Sequence, residues 1–150
     1  MIAGLFAEPG YVVFSKQIRV PGSDRFTEPR LFRVSPREKN LAHQPLVVLT
    51  GPGTASGAEI LVMATLPLPQ ARRLGAATMG ILSDTFAREL PNGWTVRLYS
   101  ERYYTFDGGT FEATGLPPDI PVEYGLPDLE RGRDTVLDAA VEPLRQDLRQ

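Results

Sequence analysis

Apolar positions along this chain fall into short runs divided by Gly, Pro and polar clusters, the pattern of a turn-rich domain of short strands. Residues 2–7 (IAGLFA) are apolar and end at Glu8-Pro9-Gly10. Tyr11–Val20, rich in β-branched and aromatic residues, predicts a strand. Pro21–Asp24 predicts a turn, Arg30–Val34 the returning strand, and Ser35–Gln44 an exposed polar loop. Leu46–Thr50 (LVVLT) runs apolar without alternation, which predicts a fully buried strand. Ser56–Leu66 predicts a helix apolar nearly all round, hence buried, and Pro67 and Pro69 stop it. Arg72–Gly75 reads as a short edge strand and Gly75–Asp84 as a glycine-punctuated loop.

Thr85–Thr105 carries the best hairpin signal: TFAREL and WTVRLYSERYYT flank Pro91-Asn92-Gly93. In the second arm Trp94, Val96 and Leu98 share one face; Thr95, Arg97, Tyr99, Glu101 and Tyr103 share the other. Asp107–Gly109 predicts a turn, Thr110–Ala113 a brief strand, and Gly115–Ile120 a rigid loop. Arg133–Leu148 closes the chain as a helix, with Val136, Leu137, Ala140, Val141, Leu144 and Leu148 at helical spacing and Asp134 as N-cap or first-turn acid.

Composition narrows the function classes. With 150 residues and 42% hydrophobic content, the chain suits one domain, or a large piece of one, with a real core. A net charge of −2 gives no general attraction to nucleic acid or anionic membrane. The absence of cysteine excludes disulfides and thiolate metal sites, and the single His43 excludes a polyhistidine site within one chain. No apolar run is long enough for a membrane span. The opening MIAGLFAEPG lacks the basic region and long apolar region of a signal peptide. No cofactor or metal is implied, and the compartment stays open.

The candidate chemistry gathers on Leu46–Leu66, where an apolar strand, a Gly51–Gly53 turn, Ser56 and a helix follow one another. Ser56-x-x-Glu59 matches a capping box, so Ser56 reads as a helix cap. It also reads as a nucleophile, because Gly57 offers an unobstructed amide and the helix N-terminus favours a developing oxyanion. Such a nucleophile needs a base. His43 reads as a surface residue beyond the far end of the strand. Lys16 and Lys39 lie in strand or polar contexts with no mark of a desolvated base. Glu59 can act only as a helper. Glu101 is either a solvated carboxylate paired with Arg97 or Arg102, or a buried orienting acid. A third reading, an unrelated α/β domain, has the GTAS turn bind an anion at the helix N-terminus.

A family resemblance rests on GTASGAE (Gly53–Glu59), GAATMGILSD (Gly75–Asp84), LPNGWTVRLYSERYYTFDGGTFEATGLPPDI (Leu90–Ile120) and the closing GRDTVLDAAVEPL helix. Together they resemble the carboxyl half of a tail-specific (carboxy-terminal processing) serine peptidase, a superfamily that includes the tricorn core protease and the photoreceptor retinoid-binding protein. The resemblance covers roughly residues 1–148. It implies an α/β fold, a ClpP/crotonase-like spiral of strand–strand–helix units with a long β-hairpin, incomplete at its N-terminus: a single partial peptidase domain of strands and loop over 1–45 and of nucleophile strand–helix, hairpin and closing helix over 46–148.

The resemblance makes Ser56 the nucleophile and Glu59 a supporting acid, with a peptide or protein as substrate. The lysine base of the T-x-G-K segment is replaced, because Thr78-Met79-Gly80-Ile81 puts Ile81 in its place. The tricorn-like branch uses a histidine from the amino half, which has no match here, and a late-strand glutamate, matched by Glu101. A chain lacking its first catalytic elements is expected to be inactive alone. It is also expected to expose apolar surface along Leu46–Leu49 or the Ser56–Leu66 helix, with self-association as one outcome. The rival reading is a non-catalytic peptide- or apolar-ligand-binding module on the same scaffold.

Overall fold

A computed structural model describes residues 2–8, 10–39, 41–123 and 125–147. After a 3-10 turn at Ile2–Leu5, the strands are β1 (Tyr11–Ile18), β2 (Arg30–Val34), β3 (Leu46–Thr50), β4 (Ala71–Gly75), β5 (Thr85–Glu89), β6 (Thr95–Tyr99), β7 (Glu101–Thr105) and β8 (Ile120–Pro121). The helices are α1 (Gly57–Thr65), α2 (Leu126–Glu130) and α3 (Thr135–Asp147). The architecture is mixed α/β. Strands assemble as an antiparallel sheet β2-β1-β7, a parallel sheet β3-β4-β8 and a separate β5-β6 ribbon.

Helix α1 joins β3 to β4 as a parallel crossover and packs against the antiparallel sheet. Its Val62, Met63 and Ala64 meet Val13, Phe14, Val34, Tyr103, Leu82 and Leu116 in the main core, and Val48 of β3 joins from the other side. Phe14 stacks on Phe32 at 4.5 Å and on Tyr103 at 5.4 Å, locking β1 to both neighbours. The next residue along β3, Val47, points the opposite way, into a smaller core of Leu74, Val136, Ala140 and Ile120 under α3. Asp134 caps α3 as expected, its Oδ1 accepting from the Val136 and Leu137 amides at 3.1 and 2.9 Å. The Leu148 position of that helix pattern lies outside the described residues.

Four expectations are corrected. Strand β3 is not fully buried: among the described residues it pairs with β4 alone, so it forms a sheet edge and leaves Leu49 41% exposed. β4 is the central strand instead of the edge. Its two arginines disguise this, because both guanidiniums reach acids away from the strand, Arg72 to Asp147 at 2.8 Å and Arg73 to Asp119 at 2.6 Å.

The long second arm of the hairpin breaks at Ser100. β6 pairs β5, whereas β7 leaves to pair β1, with Phe14 opposite Thr105 and Ile18 opposite Glu101. Thr110–Ala113 is not a strand. The backbone turns there, with Ala113 at φ 66° and the Gly115 amide donating to Phe111 O at 2.9 Å. The short helix α2, with Pro127 in its first turn, had no expectation attached to it.

Candidate active site

β3 delivers the chain into a turn fastened by its own hydroxyl: the Gly51 amide donates to Thr54 Oγ1 at 3.1 Å, and the Thr54 amide donates to Gly51 O at 2.8 Å. Ser56 follows as the N-cap of α1 with φ 53° and ψ −118°. Such a backbone costs a non-glycine residue about 1–3 kcal/mol and persists only where neighbours impose it. The Ser56 amide donates to Ile81 O at 2.9 Å and to Glu59 Oε2 at 3.0 Å, while Ser56 O accepts from the Ile60 amide at 3.1 Å.

The capping-box pairing is present, but only its carboxylate half is a regular hydrogen bond; Ser56 Oγ makes no side-chain cap bond. The hydroxyl is thus exposed at a strained corner. Beside it, a Cβ on Gly57 would meet nothing within 4 Å, so space next to that amide is open.

Glu59 is the best-tethered acid of the chain. It is 0% exposed and accepts four hydrogen bonds: from the Ser56 amide, from Thr78 Oγ1 at 2.5 Å, from the Gly80 amide at 2.8 Å and from the Ile81 amide at 2.9 Å. A buried carboxylate persists only with such partners. Thr78 Oγ1 in turn accepts from the Leu116 amide at 2.8 Å. The crossing is tight: a Cβ on Gly115 would lie 2.0 Å from Thr78 O, and one on Gly80 2.6 Å from the Gly115 amide nitrogen. Glu59 therefore ties three segments, the serine corner, the 78–81 loop and the 113–116 turn, into one unit.

Glu101 occupies a different setting. Its carboxylate is 9% exposed and bridges Lys16 Nζ at 2.8 Å and the Tyr103 hydroxyl, which donates to it at 3.1 Å. Lys16 also lies 3.5 Å from Asp84. Burial works to lower the Lys16 pKa, but the hydrogen bonds and charges of Glu101 and Tyr103 outweigh it and hold it above the ordinary lysine value. Burial, reinforced by the Glu101 charge, pushes the Tyr103 hydroxyl up to about 12. The Glu101 backbone carbonyl accepts from Ser83 Oγ at 3.2 Å, which links this cluster to the loop that ends beside Ser56.

Sequence reasoning missed Lys16 as the partner of Glu101, because the two residues are 85 positions apart and meet only through β1–β7 pairing. It also missed Thr78, and Glu112, whose Oε2 accepts from the Leu82 and Ser83 amides at 3.3 and 3.1 Å. The hydroxyl in a small-residue loop and the acid before a glycine turn were the only signals available.

Ile81 meets the corner through its backbone on both sides, donating to Glu59 and accepting from Ser56. Its side chain, with those of Met79 and Leu49, is exposed. His43 is 87% exposed and lies 3.5 Å from Glu8. A cleft of about 360 Å³ runs beside the turn, lined by Leu49, Gly51, Thr54, Asp134 and Val136. Among the described residues no acid or histidine cluster could hold a metal, and no helix is long and apolar enough to cross a membrane.

The corner thus joins a strained, exposed serine at a strand-to-helix junction to open space at the following glycine. Peptidase family S41 matches residues 1–122, and the chain belongs to that family. It is 33% identical over 94 residues to a carboxy-terminal-processing protease of Bartonella bacilliformis, covering 63% of this chain and 22% of that protein. It is 28% identical over 127 residues to the tricorn protease of Thermoplasma acidophilum, covering 83% of this chain and 12% of that one. The chain thus spans less than a quarter of these relatives. A Parabacteroides merdae crystal structure superposes with a TM-score of 0.83 at 30% identity, over 95% of this chain and 45% of that one. The tricorn protease crystal structure shares the fold, with a TM-score of 0.67 at 20% identity, over 99% of this chain and 13% of that one.

Proposed function

We propose that this domain carries the nucleophile side of a serine peptidase site that hydrolyses peptide bonds. The observation that carries the reading is the backbone of Ser56, held at positive φ with its hydroxyl free of a cap bond. Ser56 Oγ attacks the peptide carbonyl, and the Gly57 amide donates one bond to the oxyanion. Glu59 acts without touching substrate, fixing the strained turn through the Ser56 amide. Glu101 orients the base side of the site from the Lys16–Tyr103 cluster.

The base is the part this chain does not supply. Lys16 is tied to Glu101 at 2.8 Å, and Ile81 carries no titratable group. The isolated chain is therefore inactive or nearly so. Fluorophosphonate labelling tests both statements. The unaltered chain is expected to label scarcely, the Ile81→Lys chain to label at Ser56, and Ser56→Ala to abolish that signal. Strong labelling of the unaltered chain overturns the inactivity. An Ile81→Lys chain that still fails to label overturns the readiness of Ser56.

The exposed Met79, Ile81 and Leu49 around the corner favour a second reading, a peptide- or apolar-ligand-binding module without turnover. Saturable peptide binding that survives Ser56→Ala, with no labelling in any variant, selects it.

A further inference from the structure

The carboxyl end of β3 carries more than the serine corner. Strands β3 and β4 run parallel, with the α1 core on one face and α3 on the other. In sheets of this kind ligands settle in crevices outside the carboxyl ends of the strands. The cleft of about 360 Å³ lies there, between the Gly51–Thr54 turn and the start of α3. Leu49, two residues on from Val47, faces the same side and forms an apolar wall with Val136.

The polar groups of the cleft differ in what they are free to do. Thr50 Oγ1 donates to Ala76 O at 2.8 Å, and Thr54 Oγ1 accepts from the Gly51 amide at 3.1 Å, so both hydroxyls are engaged within the fold. Asp134 is the single charged residue of the lining. Its Oδ1 caps α3, whereas its Oδ2 has no hydrogen bond or ion pair with any described residue. The neighbouring Arg133 pairs with Asp138 at 3.3 Å, and no lysine or arginine lines the cleft. An apolar wall ending in an unpaired carboxylate matches a long aliphatic stem with a cationic head. A neutral apolar side chain would desolvate the carboxylate without pairing it, and an acidic one would meet like charge.

The cleft is also close to the corner. Thr54 precedes Ser56 by two residues, so their Cα atoms lie at most ~7 Å apart. An extended peptide advances ~3.3 Å per residue, so a side chain held in the cleft belongs within about two residues of a bond presented to Ser56. We infer that this cleft is a specificity pocket for a lysine or arginine side chain of the peptide, with Asp134 as the specificity-determining residue. The inference rests on the peptidase reading for the ligand being a peptide, and on Asp134 alone for its charge.

The test is fluorescence anisotropy at low ionic strength with fluorescein-labelled seven-residue alanine peptides whose central residue is lysine, norleucine or glutamate. The unaltered chain, Asp134→Asn and Ser56→Ala are compared. Asparagine caps a helix as well as aspartate does, so Asp134→Asn removes the charge and keeps the cap, and far-UV circular dichroism checks that it folds. The lysine peptide is expected to bind ~5-fold tighter than the norleucine peptide, and the glutamate peptide weakest. Asp134→Asn should bring the lysine peptide to the norleucine level, Ser56→Ala should leave the preference unchanged, and added salt should shrink it. Equal binding of the lysine and norleucine peptides, or no binding of either, overturns the inference, as does a lysine preference that survives Asp134→Asn. Because this readout needs no nucleophile, a lysine preference lost in Asp134→Asn upholds the pocket even where Ser56 fails to label in the Ile81→Lys chain. Labelling there without any lysine preference overturns the pocket and leaves the peptidase reading standing.

Discussion

The Ser56–Glu59 corner and the β5–β6 ribbon are both built from short, turn-flanked segments, yet they are held in opposite ways. At the corner, one carboxylate with no exposure takes four donors from two segments and reaches a third through Thr78, and glycines let backbones cross where no Cβ would fit. In the ribbon, the hydrogen bonds are cross-strand and every strand residue faces solvent. The corner can store backbone strain at Ser56 because its surroundings over-determine it. The ribbon stores nothing and offers surface. A rigidly held corner and an exposed surface thus sit on different elements of the chain.

The comparison breaks first at Glu59. Glu59→Leu leaves the Gly80 and Ile81 amides and the Thr78 hydroxyl without their acceptor, and at ~1–3 kcal/mol for each unsatisfied group a loss of at least ~3 kcal/mol is expected in urea unfolding. A loss below ~2 kcal/mol would mean the corner is not held by this acid.

Strain at Ser56 gives the next largest effect. Ser56→Gly should raise stability by about 1 kcal/mol, strain relief exceeding the entropy cost of glycine. Ser56→Ala, which keeps the strain and removes no cap bond, should stay within about 0.5 kcal/mol of the parent. A loss near 1 kcal/mol in Ser56→Ala would restore the capping role.

On the ribbon, Arg97→Ala on the polar face should change stability by less than about 0.5 kcal/mol. A larger loss would show that the ribbon packs as the corner does.

A pH-dependent effect lies in the Lys16–Glu101–Tyr103 cluster. Lys16 and Tyr103 both have folded pKa values raised above their unfolded ones, Tyr103 to about 12. Between pH ~10 and ~12 the folded state holds protons the unfolded state has lost, so stability falls as pH rises through that window. In Tyr103→Phe the fall should be shallower; an unchanged slope in denaturant titrations at several pH values would dissociate Tyr103 from it.

Local pattern and turn chemistry by themselves determined β1, β2, α1 and α3, the Pro91–Gly93 turn, the capping of α3 by Asp134 and the placing of Ser56 at a helix start. Those features depend on residues only a few positions apart. The motif order also carried the family, and in it Gly80 and Gly115 stand where a Cβ would collide with backbone. Only the tertiary structure decided which strand is central, since the charges of Arg72 and Arg73 are disposed of by Asp147 and Asp119, distant in the chain. It alone showed that one apparent hairpin arm serves two sheets, because a break at Ser100 follows from what β7 pairs with and not from its composition. And it alone turned Glu59 from half of a local cap into the anchor of three segments, since three of its four donors lie about twenty residues away and meet it only through the fold.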